Sequence, residues 1–400
     1  MKLKAISDYK SPHTRQILAV AISMALLPNA GISALLPSDI KKLPQTGEIS
    51  DIRAGQLVDG VLAFAWQGSE EIYAQHMTAA GVLTGELETY TDFGEIGMDE
   101  DGDFTVDVLD DNSLLVQKYS DESYLSVEVY PVQQVNSYDF DEGRKTNKRV
   151  EFALSDPVIA NNAAGDFVVL WEESKTETTR KVQKTCSTDE YGEKYCEEYG
   201  YSYTSKSSVR LYAQRYNSDM SKQDVKPLLV ALTQGTGRYI GDTAVQMDND
   251  GDFTVAYSAG KSTYKNKPGD EYGNAEGYTL DNSDVFVKQF AINKKGKFAA
   301  GKTVRASAKP KTPSGHKLKN VRHMEPAIVL TDEKSNAFII MWHNDYEDHF
   351  QVKGEPEYAC IKYKKDEYGY KECAEYGYKS VYEDQYETNS ILKAKRYANQ

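Results

Sequence analysis

No helical periodicity of any length runs through these 400 residues, and long apolar stretches are nearly as scarce. One apolar run, residues 17–27, stands near the N-terminus, and no second run of that length follows it. At eleven residues it falls short of the ~20 that a spanning helix needs. Serine-hydrolase, zinc-protease and phosphate-loop signatures are missing: there is no Gly-x-Ser-x-Gly, no His-Glu-x-x-His and no Walker loop. Basic charge is also in deficit. The net charge is −14, with no lysine or arginine stripe, which argues against nucleic acid as a partner. Cysteine is limited to four and tryptophan to three, whereas tyrosine reaches 29 against 12 phenylalanines. That excess suits half-exposed strands and contact surfaces better than a dry core.

The N-terminal run has the form of an export signal. Lys2, Lys4, Lys10 and Arg15 precede it, and small residues follow to Ala34. Residues 1–34 are therefore expected to be a signal peptide, with the cut between Ala30 and Ala34. No integral membrane segment is expected once it is removed. Periplasm, cell surface and external medium are all open as destinations.

From residue 48 onward the patterning is that of strands: short apolar runs, alternation of period two and Asp-Gly turns. A unit recurs five times. Its fullest copy is Gln246-Met-Asp-Asn-Asp-Gly-Asp-Phe-Thr-Val-Ala-Tyr257, and the Phe position recurs as Leu62, Phe104, Phe167, Phe253 and Phe338. Four residues on stand Trp66, Val108, Trp171, Tyr257 and Trp342. Positions 0, 2 and 4 of a strand share one face. The intervening positions are often apolar too, so the strand is expected to lie between two layers. Each unit then offers a third run such as Leu211-Tyr-Ala-Gln-Arg-Tyr216 and a weaker fourth, for example Leu228–Leu232. Four short antiparallel strands in each of five units predict an all-β fold, a five-bladed β-propeller occupying residues 35–400. The last unit stops at its third strand, and the lead-in before residue 50 is the expected donor of the fourth.

The pairing of residues 247–257 with Leu-Tyr-Ala-Gln-Arg-Tyr-Asn (211–217) resembles repeats of secreted bacterial propeller-like proteins. Those carry Asp-Gly-Asp-Phe-Val-Val-x-Trp followed by Val-Tyr-Ala-Gln-Arg-Tyr. The likeness covers residues 48–400 apart from the insertions. It implies the repeat type and almost nothing about activity, since such proteins are largely uncharacterised.

Three insertions, 172–208, 258–284 and 343–391, lengthen the later units and hold 17 of the 29 tyrosines. Each contains Asp-Glu-Tyr-Gly and is expected to form a protruding hairpin. All four cysteines lie in them. Cys186 and Cys196 flank one Asp-Glu-Tyr-Gly nearly symmetrically, as do Cys360 and Cys373 another. Symmetric hairpin positions face each other at disulfide range, so 186–196 with 360–373 is the expected pairing. The Cys-x2-Cys or Cys/His spacing of a zinc site is missing.

The candidate contact residues are Tyr191, Tyr195, Tyr199, Tyr201, Tyr272, Tyr368, Tyr370, Tyr376 and Tyr378. Tyrosine supplies rigid contact area plus a hydroxyl, which suits a protein or glycan partner. The Asp-rich turns Asp99-Glu-Asp-Gly-Asp103 and Asp248-Asn-Asp-Gly-Asp252 nominate Asp99, Asp101, Asp103, Asp248, Asp250 and Asp252 as calcium ligands. They lack the full EF-hand spacing, and hairpin turns explain them equally well. Residues 343–349, between His343 and His349, gather metal-capable side chains and read as a polar loop. No catalytic residue is nominated. An exported binding or scaffold protein leads; a propeller hydrolase acting on polysaccharide and a structural subunit of an extracellular assembly are the alternatives. Several carboxylates converging at the central funnel, one with a raised pKa, would mark the hydrolase.

Overall fold

The computed structural model describes residues 35–39, 49–56, 62–69, 71–91, 104–109, 113–119, 124–130, 132, 148–266, 277–292, 298–312, 314–332, 337–365 and 370–399. Regular structure among them is entirely β, in antiparallel sheets. Strand β1 (Leu35–Asp39) comes first. A first sheet holds β2 (Ser50–Gln56), β3 (Leu62–Gln67), β4 (Ile72–Met77) and β5 (Leu83–Tyr90) in chain order. The second holds β6 (Phe104–Val108), β7 (Leu114–Tyr119) and β8 (Tyr124–Val129), three described strands. In the third are β9 (Lys148–Asn161), β10 (Phe167–Thr188), β11 (Lys194–Tyr216) and β12 (Leu228–Gln234).

The fourth sheet contains β13 (Arg238–Met247), β14 (Phe253–Asn266) and β15 (Gly277–Ile292). Its outer edge is split between β16 (Phe298–Ala300) and β17 (Val304–Arg305), both paired with β15. After β18 (Lys317–Asp332) and β19 (Ala337–Lys353), β20 (Glu357–Lys365) and β21 (Lys371–Lys379) form a separate two-stranded sheet. Strand β22 (Tyr382–Asn399) then returns to pair with β19. The fifth sheet is completed from the other end of the chain: β1 pairs antiparallel with β22, Leu35 opposite Asn399 and Asp39 opposite Lys395. The lead-in thus supplies the strand that the last repeat lacks, and it covers an edge that would otherwise present unpaired backbone groups.

The repeat columns explain the packing. Phe167, Val169 and Trp171 face one way and join Leu114, Val116 and Val129 of the second sheet in one cluster. Val168 and Leu170 face the other way, into a cluster with Phe253, Val255 and Tyr257 of the fourth sheet. The fourth sheet's Ala256 meets Phe338, Ile340 and Trp342 of the fifth. The fifth sheet's Ile339 and Met341 meet Leu62, Phe64 and Trp66 of the first. Sheets three, four, five and one therefore succeed one another by a single rule, positions 0, 2 and 4 of one strand packing on the opposite-facing positions of the strand before, whereas the third sheet meets the second on β7 and β8. Each aromatic of 150–250 Å² removed from water contributes about 4–6 kcal/mol as an upper bound.

Position 0 also stacks across its own sheet. Phe167 lies opposite Tyr216, Phe253 opposite Phe290 and Phe338 opposite Tyr397, with ring centroids 5.0, 4.6 and 5.1 Å apart. The second sheet departs from this register, since Phe104 pairs with Lys118 rather than Tyr119.

Candidate functional site

Two regions carry chemistry: the hairpins that extend beyond the sheets, and the first strands of the sheets.

Strands β10 and β11 run far past the core. The side chains of β10 are buried from Phe167 to Glu173 and turn outward beyond them. Among the described residues β9 pairs with β10 only as far as Thr179, and beyond it β10 and β11 pair with each other. At its tip, Asp189 N–H bonds the carbonyl of Glu193, and Gly192 N–H bonds the carbonyl of Asp189. The Asp189 carboxylate accepts the N–H groups of Tyr191 and Glu193 at 3.0 and 2.8 Å. Gly192 holds the positive φ, 83°, that this turn requires. Cys186 and Cys196 are direct cross-strand partners and are joined by a disulfide.

The second disulfide, Cys360–Cys373, also has the expected pairing, but its cysteines are not opposite one another. Cys360 faces Tyr376 and Cys373 faces Tyr363, because two bulges around Lys362 offset the register. Two disulfides fit an oxidising, exported environment. Among the described residues no helix is long and apolar enough to cross a membrane, a statement that does not bear on β-barrels.

The cross-strand staple acts on a ribbon that the core does not hold. Replacing Cys186 and Cys196 with serine is expected to speed chymotryptic cleavage at Tyr191 and Tyr195 by ~10-fold or more. The global urea midpoint should stay within about 0.3 M of the parent. Cleavage rates and an unfolding curve on the same preparation check both halves.

Tyr191, Tyr195, Tyr201, Tyr370, Tyr376 and Tyr378 are all exposed, Tyr191 and Tyr378 the most at 83% and 76%. Tyr199 lies in β11, but its side chain is outside those described, and Tyr272 and Tyr368 lie outside the described residues altogether. The sequence reading missed Tyr358. It stands opposite Tyr378, and its ring centroid lies 6.2 Å from that of Tyr376, stacked, and 5.5 Å from that of Tyr378, edge-on. The three rings share one face of the stapled β20–β21 hairpin, separated along β21 by Gly377. On the opposite side Ile361 stands so close that a Cβ at Gly377 would meet its Cδ1 at 2.8 Å. Period-two alternation from Cys360 back to Tyr358 could have found this residue.

The Asp-rich turns behave as hairpin devices. Asp248 is buried, and its Oδ1 accepts the N–H groups of Asp250 and Asp252 at 3.0 and 2.9 Å. In the third sheet Asn162, a neutral amide, does the same for Ala164 and Asp166, both at 3.0 Å. Asp252 accepts the N–H of Ile292, tying the turn to β15. Burial, then the nearby charges of Asp252 and Asp250, push the Asp248 carboxyl up to about 7. Asp99, Asp101 and Asp103 lie outside the described residues.

Residues 343–349 are not a loop. They continue β19, because the insertion prolongs its pairing with β22 as far as Lys353 opposite Tyr382. His343 and Asn344 are buried there, and His349 packs edge-on against Tyr386 at 4.4 Å.

The least anticipated feature lies on the first strands. Each described first strand has a register shift next to an acidic residue: Asp51 in β2, Asp156 in β9, Asp242 in β13 and Glu325 in β18. Asp51, Asp156 and Glu325 adopt positive φ, 47°, 48° and 49°. First strands of successive sheets touch, β9 with β13, β13 with β18 and β18 with β2. The N–H of Glu325 donates to Asp242 Oδ2 at 3.0 Å, linking two of these bulges. Glu172, just after Trp171, is only 4% exposed. Burial holds its carboxyl well above the usual carboxylate range, and Asp156 and Asp242 push it further. Asp51 stands apart, ion-paired with Arg53 at 3.2 Å.

The chain matches no family model, no curated protein and no solved structure.

Proposed function

We propose that the chain is an exported five-bladed β-propeller that binds a protein or glycan partner through the tyrosine hairpins of its third, fourth and fifth sheets. The observation that carries the binding reading is the face of Tyr358, Tyr376 and Tyr378, three large rings left in water on a hairpin stiffened by its own disulfide. Exposed aromatic surface on a rigid element carries little ordering cost at binding. The propeller reading is supported by the packing rule that brings the last sheet against the first, and by β1 completing the fifth sheet. In an open row of sheets those two would be the far ends. A cut between Ala30 and Ala34 would leave β1 whole. The resemblance to secreted bacterial propeller-like repeats supports the same reading.

The test is a variant carrying Tyr358→Ala, Tyr376→Ala and Tyr378→Ala, applied to a panel of cell-envelope polysaccharides and envelope proteins. Capture of at least one component by the parent should fall ~100-fold or more, as expected for a cluster of aromatic anchors. Circular dichroism should be unchanged. A variant that captures as well as the parent would remove the hairpins from the function.

One observation favours the hydrolase reading: Glu172 is buried beside the first strands, and burial, then the charges of Asp156 and Asp242, raise its pKa. A glycosidase needs such an acid within reach of a sugar ring. At 4% exposure Glu172 does not offer that reach, so binding stands first. Reducing-sugar release from the same polysaccharides would reverse the order.

A further inference from the structure

We propose that the two disulfide hairpins bind an acidic polysaccharide, their tyrosine rings stacking on sugar faces while lysines on the same side take the anionic groups. This rests on the binding reading above and names the chemistry of its partner.

The charges of the β20–β21 hairpin are sorted by face. A disulfide closes from one side of a sheet, so Cys360 and Cys373 share a face. The irregularities on either side of Lys362 break the alternation of both strands and make this possible. Tyr358, Tyr376 and Tyr378 stand on that face with Cys360, and Tyr363 stands there opposite Cys373. Two residues further on, Lys365 lies directly opposite Lys371, on the same face. The described glutamates are all on the other side, each facing a lysine: Glu357 opposite Lys379, Glu375 opposite Lys362 and Glu372 opposite Lys364. In the last pair the ammonium lies 4.0 Å from the carboxylate. Among the described residues, then, one face is neutral and the other is aromatic and cationic; Asp366 and Glu367, in the turn, lie outside them. Like charges set directly opposite each other weaken a strand pair. An anionic group held between Lys365 and Lys371 removes that cost.

The other stapled hairpin repeats the arrangement. Residues 189–201 and 366–378 share the pattern Asp-Glu-Tyr-Gly-x-Lys-x-Cys-x-Glu-Tyr-Gly-Tyr. Lys194 alternates onto the face of Cys196. Val182 and Cys186 share a face of β10, and Tyr201, opposite Val182, is on it too. Arg180 lies over the Tyr201 ring, 5.1 Å from its centroid. The bulges fall at different places in the two hairpins, yet both bring lysine, disulfide and tyrosine to one side.

A partner met twice by one pattern is a repeating one, and two linked contacts bind a polymer far more tightly than either alone. Polysaccharides repeat, and their hydroxyls suit ammonium and phenol groups as well as their ring faces suit tyrosine. A protein partner fits less well, since the cores of protein interfaces are depleted of lysine. The net charge of −14 keeps an anionic polymer off the rest of the surface, so the unpaired lysines set where it lands.

The experiment uses the full chain at physiological salt and two matched pairs of polymers. Dextran sulfate is compared with dextran, and polygalacturonate with its carboxyl-reduced form. Each pair isolates the anionic group, and the two acidic members separate sulfate from carboxylate. The parent should bind at least one acidic polymer ~10-fold or more tightly than its neutral counterpart. Joint Lys365→Ala and Lys371→Ala should weaken that binding ~10-fold or more, and Lys194→Ala ~3-fold or more. Lys364→Ala, on the neutral face, should change it by less than ~2-fold. All four lysines are exposed, so circular dichroism should match the parent. A parent that binds neither acidic polymer, or binds the neutral ones equally well, overturns the proposal. So do lysine variants that bind like the parent, or a Lys364→Ala loss as large as that of the pair, which would show a bulk charge effect. Capture of an envelope protein through Tyr358, Tyr376 and Tyr378, with no polysaccharide bound, overturns it too but leaves the binding reading standing.

Discussion

Replacing Trp171 with alanine is expected to cost about 3–5 kcal/mol of stability, the range for a large aromatic removed from a closed core. Trp171 is fully buried in the cluster shared by the second and third sheets. Its ring lies 5.9 Å from that of Tyr212, and its Nε1–H donates to Glu173 Oε1 at 3.2 Å. The same oxygen accepts the N–H of Val132 at 2.5 Å. The substitution therefore opens a cavity between two sheets and removes a donor from a buried carboxylate. The matching control is Tyr191→Ala, also an aromatic truncation, at the exposed tip of the β10–β11 ribbon. It should change stability by less than ~0.5 kcal/mol. Urea unfolding of the two variants beside the parent checks the contrast. Equal effects would mean that the repeat aromatic is not what holds neighbouring sheets together.

Asp248→Asn should stabilise the protein by about 2–4 kcal/mol at pH 8 and by much less at pH 5. The folded pKa of Asp248 is raised, to about 7 from an ordinary value near 3.8. A raised folded pKa means that the native state holds the proton more tightly than the unfolded chain does. Its contribution is complete below about pH 4 and is lost as pH rises through about 7. Every tenfold difference in proton affinity between the two states is worth about 1.4 kcal/mol. Asparagine keeps the oxygen that accepts the two turn N–H groups and carries no charge. Asn162 already occupies the corresponding turn position in the third sheet with the same two bonds. Urea midpoints of parent and variant from pH 4 to 8 should diverge progressively. Curves that stay parallel would show that Asp248 is not ionised at a cost in the folded state.

Some of this was legible in the residues alone. Alternation at Phe167, Val168, Val169, Leu170 and Trp171 required a strand buried on both faces, and the two faces do belong to different clusters. A last unit with three runs in place of four pointed to the lead-in as donor of the fourth, and β1 does pair with β22. Symmetric cysteines about Asp189-Glu-Tyr-Gly192 required a cross-strand pair. These inferences depend on period and covalent reach, which are local.

The His343–His349 segment was misjudged for the opposite reason. Its polarity suggested a loop, but pairing with β22 satisfies its backbone whatever its side chains are. Bulges moved Cys360 and Cys373 out of direct opposition, and a bulge leaves no simple mark in a sequence. Tyr358 became part of an aromatic face only because Tyr376 and Tyr378 lie across from it.

By itself, the sequence determined the repeat strands, their units, most of the side chains buried in them, though not Val108, which is exposed, and which cysteines join. All of these follow from an alternation of period two and from distances along the chain. Tertiary structure alone decided that sheet five packs on sheet one, and that Asp156, Glu172 and Asp242 act on one another. Those encounters join residues from different sheets, and 61 acidic residues carry no sign of which few will be brought together.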